Sequence, residues 1–351
     1  MRMDSAVDTP GRVCPVDYHL GEQAFRSGPV LQAEVLYVVG GLYGNTVALD
    51  TVLELFESEK TASRLLVFNG DFHWFDRDAD EFLRIERLTA GHVRLRGNVE
   101  TEIARDGAQA GCGCAYPQHV DDGTVERSNR ILGELKRTAT GLGLADALGT
   151  LPMVAMASVG RCRVAITHGD EKSLAGWRFT SEQIDEAWRD GLVATLDHLD
   201  ARVIASSHTC TPIAASYDEG EKRFAVINNG AAGMANFAGS GKGLFTRIAL
   251  PQVPVPAQTR TLYSARIAGV EVQACELAFE ESRWQTLFER QWPAASDAYR
   301  SYWHRITQGT SLDPDDAVRG VFSLTARSGG QSQARATLSS AVSASTVLQP
   351  R

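Results

Sequence analysis

The chain has 351 residues, enough for one large domain with additions or for two ordinary ones. Its 43% hydrophobic content supports a sizeable buried core and argues against disorder, and its formal charge of −8 argues against a nucleic-acid-binding surface, because phosphate backbones are held by clustered Lys and Arg. A small anionic ligand stays open, since a bound metal supplies positive charge that composition does not display.

Residues 1–32 mix Pro, Gly, Asp and Arg without periodicity and are expected to form an irregular extension. The first twenty residues lack the apolar stretch of a signal peptide, no later stretch approaches a membrane-spanning length, and six scattered cysteines do not make a secreted disulfide framework. These features predict a cytoplasmic protein with free thiols. VLYVVG (35–40) is fit for a buried strand; after it Leu49, Val52, Leu53 and Phe56 recur at helical spacing behind Asn45, a candidate N-cap. LLVFNGD (65–71) predicts a second strand, Asp78–Leu88 a helix, and HVRLRGN (92–98) a third strand. Such alternation predicts a largely parallel sheet covered by helices.

Ala104–Asp122, with its GCGCAYP, reads as a loop excursion, and a charged helix is expected over 123–138. VAMAS (154–158) and RVAITHGD (163–170) suggest a hairpin turning at Val159-Gly160. Thr180 and Gln183 form a capping-box signature ahead of Ile184, Ala187, Trp188 and Leu192. VIASSH (203–208), IAASYD (213–218) and FAVINNG (224–230) read as strands, and 262–279 as a hairpin turning at Ala268-Gly269. Tyr299, Tyr302, Trp303 and Ile306 share one helical face, and beyond Gly320 the composition is that of a disordered tail.

Several β-runs end in a polar group: Gly-Asp71, Gly-Asn98, His168-Gly-Asp170 and Ser-His208-Thr-Cys210. Side chains at the carboxyl ends of strands in open α/β sheets converge on one crevice. Asp71, Asn98, His168 and His208 form a mixed O/N set suited to one divalent ion such as Mn, Fe or Zn. One carboxylate among neutral donors leaves such a site net positive, which suits a phosphate. As alternatives, the histidines are polar residues closing strands and Asn98 is a helix cap.

The order GxxxGN, NGD, GN, HGD, SHTC, NNGAAG resembles the motif series of the calcineurin-like metallophosphoesterases, which runs DxHGN, GDxxD, GN(H/C)(D/E), HG, GHTH and a closing NPGS-type turn. The resemblance covers about residues 34–280. It implies a four-layer α/β/β/α sandwich of two mixed sheets. It also implies that Asp71, Asn98, His168 and His208 fall where one metal of the family's pair is held. The positions of the other metal's own ligands are occupied by Gly41, Tyr43 and Cys210. Asp71 and a Cys210 thiolate are too few for a firm second site. Losing one of two clamping ions at a cost of ~4 kcal/mol would mean about a thousandfold in rate.

His73 offers a candidate ligand for the vacated pocket or a general acid, with packing beside Trp74 and Phe75 as the alternative; Glu100 matches the acidic end of the third motif and is the second candidate catalytic residue. Cys112 and Cys114 suggest a metal or redox pair, but an isolated C-x-C reads more simply as loop. Gly44 and Asn45 offer donors to a phosphate oxygen, while Trp284, Phe288, Tyr302 and Trp303 read as core or a dimer face. The expected organisation is an extension (1–32), a metallophosphoesterase-like domain (33–280), a helical segment (281–319) and a tail (320–351). The expected function is hydrolysis of a phosphate monoester or diester at a single-metal site, the alternative being an inactive homologue that binds a phosphorylated ligand. A small phosphorylated molecule is the expected partner, without nucleic acid or membrane.

Overall fold

Val35–Val39 (β2) is buried at every position, and its period-2 geometry explains why it needs apolar residues throughout. Leu36 and Val38 face one hydrophobic layer, while Val35, Tyr37 and Val39 face another. A computed structural model describes residues 9–107, 109–184 and 189–325. Its strands are β1 (Val30–Ala33), β2, β3 (Arg64–Asn69), β4 (Val93–Leu95), β5 (Val154–Val159), β6 (Cys162–Thr167), β7 (Val203–Ser206), β8 (Ile213–Glu219), β9 (Lys222–Asn228), β10 (Gly243–Ala249), β11 (Arg260–Ile267), β12 (Val270–Leu277) and β13 (Ser323–Leu324). They form two sheets, ordered β13-β11-β12-β10-β2-β3-β4 and β1-β5-β6-β7-β9-β8.

Both sheets are mixed. β2, β3 and β4 run parallel while β10 meets β2 antiparallel, and β6, β7 and β9 run parallel between antiparallel neighbours. The expectation of a largely parallel sheet thus holds only for β2-β3-β4 at one edge of the first sheet, and for β6-β7-β9 and the pair β1-β5 in the second.

Leu36, Val38 and Val67 of the first sheet pack on Val164, Ile166 and Val203 of the second, making the layer between the sheets. Helices α2 (Thr46–Glu57), α3 (Ala79–Thr89), α5 (Asp122–Gly141), α8 (Glu281–Gln291) and α9 (Asp297–Gln308) cover the outer face of the first sheet through residues such as Val52, Phe82, Ile131, Phe288 and Ile306. Helices α1 (Glu22–Ser27) and α7 (Arg189–His198) cover the second through Phe25, Leu192 and Leu196. The short helices α4 (Asn98–Ala104) and α6 (Ala145–Gly149) lie between β4 and β5 in the chain. The result is an α/β/β/α sandwich. Among the described residues, no helix is long and apolar enough to cross a membrane.

Several local expectations need correction. The stretch 1–32 is not irregular throughout: α1 forms there, β1 pairs with β5, and Gly11 bonds to Ala110 and Tyr116 through its backbone. Residues 1–8 lie outside the described residues, as do Ala187 and Trp188 of the helix expected after Thr180. Val159 pairs with Cys162, so the hairpin turns at Gly160-Arg161. Strand β10 was not legible because all seven of its positions are buried and Arg247 interrupts its apolar run. Part of the expected tail pairs as β13 on β11, and residues 326–351 lie outside the described residues.

Candidate metal centre

Each candidate ligand is presented by a strand end. Beyond β3 the chain turns through Gly70 and Asp71, both with positive φ (77° and 51°), a conformation that Gly adopts freely and Asp tolerates. The Glu100 carboxylate holds that turn by accepting from Asp71 N at 2.9 Å, Phe72 N at 3.0 Å and Gly97 N at 2.8 Å. Asp71 Oδ1 in turn accepts from Val99 N at 3.2 Å. Asn98 opens α4, and its Nδ2 donates to the Cys112 carbonyl at 3.0 Å, which turns Oδ1 towards His168 Nε2 at 3.1 Å. His168 follows β6 and donates from Nδ1 to the Asn69 carbonyl at 3.0 Å. His208 follows β7 and donates from Nε2 to the Cys114 carbonyl at 3.1 Å.

These bonds assign both tautomers, since a ring nitrogen facing a carbonyl must carry the proton. His168 Nε2 and His208 Nδ1 are then bare and 3.2 Å apart, with Asp71 Oδ2 at 3.3 Å from His168 Nε2. With both rings neutral, Asp71, Asn98 and His208 each bring a lone-pair atom within 3.3 Å of His168 Nε2. Such a cluster is repulsive unless a cation sits in it. Bonds of ~2.0–2.2 Å from one ion set its ligand atoms ~3.0–3.5 Å apart, which matches the three spacings from His168 Nε2. The side chains of Asp71, His168 and His208 are buried, with ligand atoms all within 4.8 Å of one another.

The residues fit a divalent ion. Carbonyls locking the far nitrogen of each imidazole are the outer-shell arrangement of metal-ligating histidines. Burial, reinforced by charge on His168, pushes His208 down to about 3, so its lone pair is free at any ordinary pH. Burial also works against protonation of His168, but the Asp71 charge and the Asp71 and Asn69 hydrogen bonds outweigh it and raise its pKa. A proton is thus the natural competitor of a metal here. Gly97 completes the centre by having no side chain: a Cβ there would lie 2.3 Å from Asp71 Oδ1 and 2.9 Å from His168 Nε2.

The other half of the crevice is filled. The Tyr43 ring occupies the space a side chain at Gly41 would need, with Tyr43 Cε2 2.8 Å from a Cβ built there. The Tyr43 hydroxyl meets Cys210 Sγ at 2.6 Å. Burial raises both pKa values, so phenol and thiol stay neutral. The closing turn packs on this loop through Gly233 N to the Gly41 carbonyl and Ala232 N to the Gly40 carbonyl.

All six motifs expected at strand ends thus gather around one crevice between two sheets. This sandwich of two mixed sheets has a counterpart among solved structures. A hypothetical protein from Pyrococcus horikoshii OT3 is similar over 79% of this chain and 99% of its own, with a TM-score of 0.54 at 13% identity. A metallophosphoesterase from Sphaerobacter thermophilus covers 79% of this chain and 100% of its own, with a TM-score of 0.48 at 14% identity. At these identities the likeness is one of fold. No family model matches the sequence, and no curated protein matches it.

The two candidate catalytic residues are placed elsewhere. His73 is fully buried, with Nδ1 2.5 Å from Asp76, Nε2 3.1 Å from Glu86, and its ring stacked on Phe82 at 3.7 Å. Both nitrogens are committed, so it neither ligates nor donates to the crevice. Glu100 is likewise spent on backbone amides; it shapes the Asp71 turn and does not line the cavity. Gly44 and Asn45 serve the fold as well, since Asn45 caps α2 at Ala48 N and Gly44 N bonds the Phe72 carbonyl.

Burial presses the His73 pKa down, but Asp76 and Glu86 outweigh it and the value rises from 6.5 to about 9. A folded pKa above the unfolded one adds stability that is complete below the unfolded value and is lost as pH rises through the folded value. Urea unfolding should therefore show the protein weakening between pH 6.5 and about 9. His73→Phe should flatten that dependence; an unchanged slope would assign it to other groups.

Sequence reasoning missed the Cys112–Cys114 loop as an outer shell: its carbonyls orient Asn98 and His208 and also accept from Trp177 Nε1 at 2.8 Å. Nothing in a C-x-C signals a role played by backbone oxygens. Tyr302, read as core or dimer face, lines the cavity over the centre together with Trp74, Tyr116 and Trp177. Trp284 and Phe288 are core, at 2% and 0% exposure.

Proposed function

We propose that the protein is a metal-dependent phosphoesterase with a single-metal site, one divalent ion (Mn, Fe or Zn) being held by Asp71, Asn98, His168 and His208. The convergence of four bare lone pairs carries this reading, with both histidine tautomers set by backbone carbonyls. When bound, the ion supplies Lewis acidity to a phosphoryl oxygen and lowers the pKa of water. The chain does the rest: Glu100 and Gly97 hold the Asp71 turn in place, and Tyr116, Trp177 and Tyr302 narrow the opening. In the overall reaction water adds to phosphorus and the ester oxygen leaves as an alcohol. Among the described residues lining the cavity, the phenols and thiols are held protonated by burial and make poor acids, so the leaving oxygen is assigned its proton from water.

Elemental analysis of protein purified without chelator should give one ion per chain. Mn²⁺-stimulated hydrolysis of generic phosphate esters should vanish in His208→Ala. Uptake should also release a proton from His168, so affinity should rise with pH. A chain that takes up no ion, or hydrolysis that survives His208→Ala, would overturn the proposal.

The Tyr43–Cys210 contact favours a second reading, a homologue that binds a phosphorylated ligand without turning it over. Ion uptake and ligand binding without product would select it. A cytoplasmic setting belongs to either reading and is supported by six free cysteines.

A further inference from the structure

The centre lies under a cavity of about 50 Å³, room for roughly three or four water-sized groups. Among the described residues, Asp71 is the only lining side chain that carries a charge, and no Lys or Arg lines the cavity. The guanidinium of Arg305 stands behind the wall, its Nη2 on the Cys210 carbonyl at 2.8 Å and its Nε on the Ala235 carbonyl at 3.0 Å. Donors near the opening are already spent: Trp177 Nε1 on the Cys114 carbonyl, Asn98 Nδ2 on the Cys112 carbonyl, and the Tyr43 hydroxyl against Cys210. What remains facing the opening is the aromatic surface of Trp74, Tyr116, Trp177 and Tyr302.

From this we infer that the site selects a monoanionic phosphodiester with apolar or aromatic ester groups over a phosphomonoester dianion. The inference rests on the single-cation reading above. One divalent cation and the Asp71 carboxylate sum to a single positive charge, the Glu100 carboxylate and the Arg305 guanidinium behind the wall offset each other, and the neutral Tyr43–Cys210 pair stands where a second ion would have added two more. A diester brings one negative charge and two unesterified oxygens, so the buried sum is zero. A monoester dianion leaves an uncompensated negative charge and a third oxygen without a charged donor among the lining side chains. Among the described residues of the rim, the hydroxyls of Tyr116 and Tyr302 are engaged with each other and with Ser128 rather than with that oxygen. The rim does offer flat apolar surface to the two organic groups that only a diester presents on both sides.

The test is calorimetric titration of the full chain, loaded with Mn²⁺, with diphenyl phosphate and with phenyl phosphate. It is run at pH 8, above the second phosphate pKa of ~6, so that the monoester is a dianion. Diphenyl phosphate should bind at least tenfold more tightly, and Trp177→Ala should weaken it at least fivefold. Tyr116→Lys, which puts a cation at the opening, should close the gap by strengthening phenyl phosphate. Equal affinities, tighter phenyl phosphate, or a gap unmoved by Tyr116→Lys would overturn the inference. Binding reads it whether or not turnover occurs: tight diphenyl phosphate without product removes the hydrolase reading and leaves the selectivity standing. A chain that takes up no ion removes both.

Discussion

Gly97→Ala should cost the protein about a hundredfold in Mn²⁺ affinity, the upper range for disturbing the surroundings of a metal ligand. The added methyl carbon would stand 2.3 Å from Asp71 Oδ1, 2.9 Å from Asp71 N and 2.9 Å from His168 Nε2. None of these can withdraw cheaply. Asp71 is tied through its own amide to Glu100 and through Oδ1 to Val99 N, and His168 is tied to the Asn69 carbonyl. Something must shift, and the groups that shift are the candidate ligands. The stability loss should be the ~1–3 kcal/mol usual for overpacking, so the chain stays folded. Gly91→Ala is the control, because a Cβ there meets nothing within 4 Å. Calorimetry against Mn²⁺ and a urea titration on each variant separate affinity from folding. An unaltered affinity in Gly97→Ala would mean the ion binds elsewhere.

The largest loss of stability should come from Glu59→Ala, far from the crevice. Arg247 on β10 is 1% exposed on its side chain and forms a two-pronged pair with Glu59, at 2.7 Å and 3.0 Å. Its Nη1 donates to Gln273 Oε1 at 2.8 Å, and the Tyr37 hydroxyl donates to Glu59 at 2.7 Å. Tyr37 and Gln273 are the cross-strand neighbours of Arg247 on β2 and β12, so one ionic cluster spans the centre of the first sheet. Removing Glu59 strands a buried guanidinium, which costs ~3–5 kcal/mol. That is a large share of a total stability of ~5–15 kcal/mol. Thermal unfolding should shift down by about 10 °C. Glu59→Leu combined with Arg247→Met should recover most of the loss, because an apolar pair has no charge to strand. If Glu59→Ala unfolds within a degree or two of the parent, the pair contributes nothing measurable.

The chain itself determined a good deal. Apolar runs ending in Gly-Asp71, Gly-Asn98, His168 and His208 were enough to place the strands and to point these residues at one crevice, because a strand's end and its polar terminator are adjacent in sequence. The cap at Asn45 was equally legible, since capping is local chemistry, and its side chain accepts from the first turn as expected. The depleted half of the crevice, at Gly41, Tyr43 and Cys210, was legible only through the resemblance of the motif order to the metallophosphoesterase series.

Only the tertiary structure decided what His73 and Glu100 do. A histidine two residues after Asp71 looks available until Asp76, Glu86 and Phe82 are seen to enclose it, and two of those three partners arrive from α3. Glu100 looks acidic and free until the amides of another loop are found on it. β10 and its Arg247 stayed hidden for the same reason. A charge within an apolar run is intelligible only with its counter-charge, and Glu59 lies 188 positions away in the chain. Residue type and spacing record which groups a strand end carries. Which of them keep a lone pair for a ligand depends on partners from distant segments, and hydrogen bonds formed in three dimensions settle that.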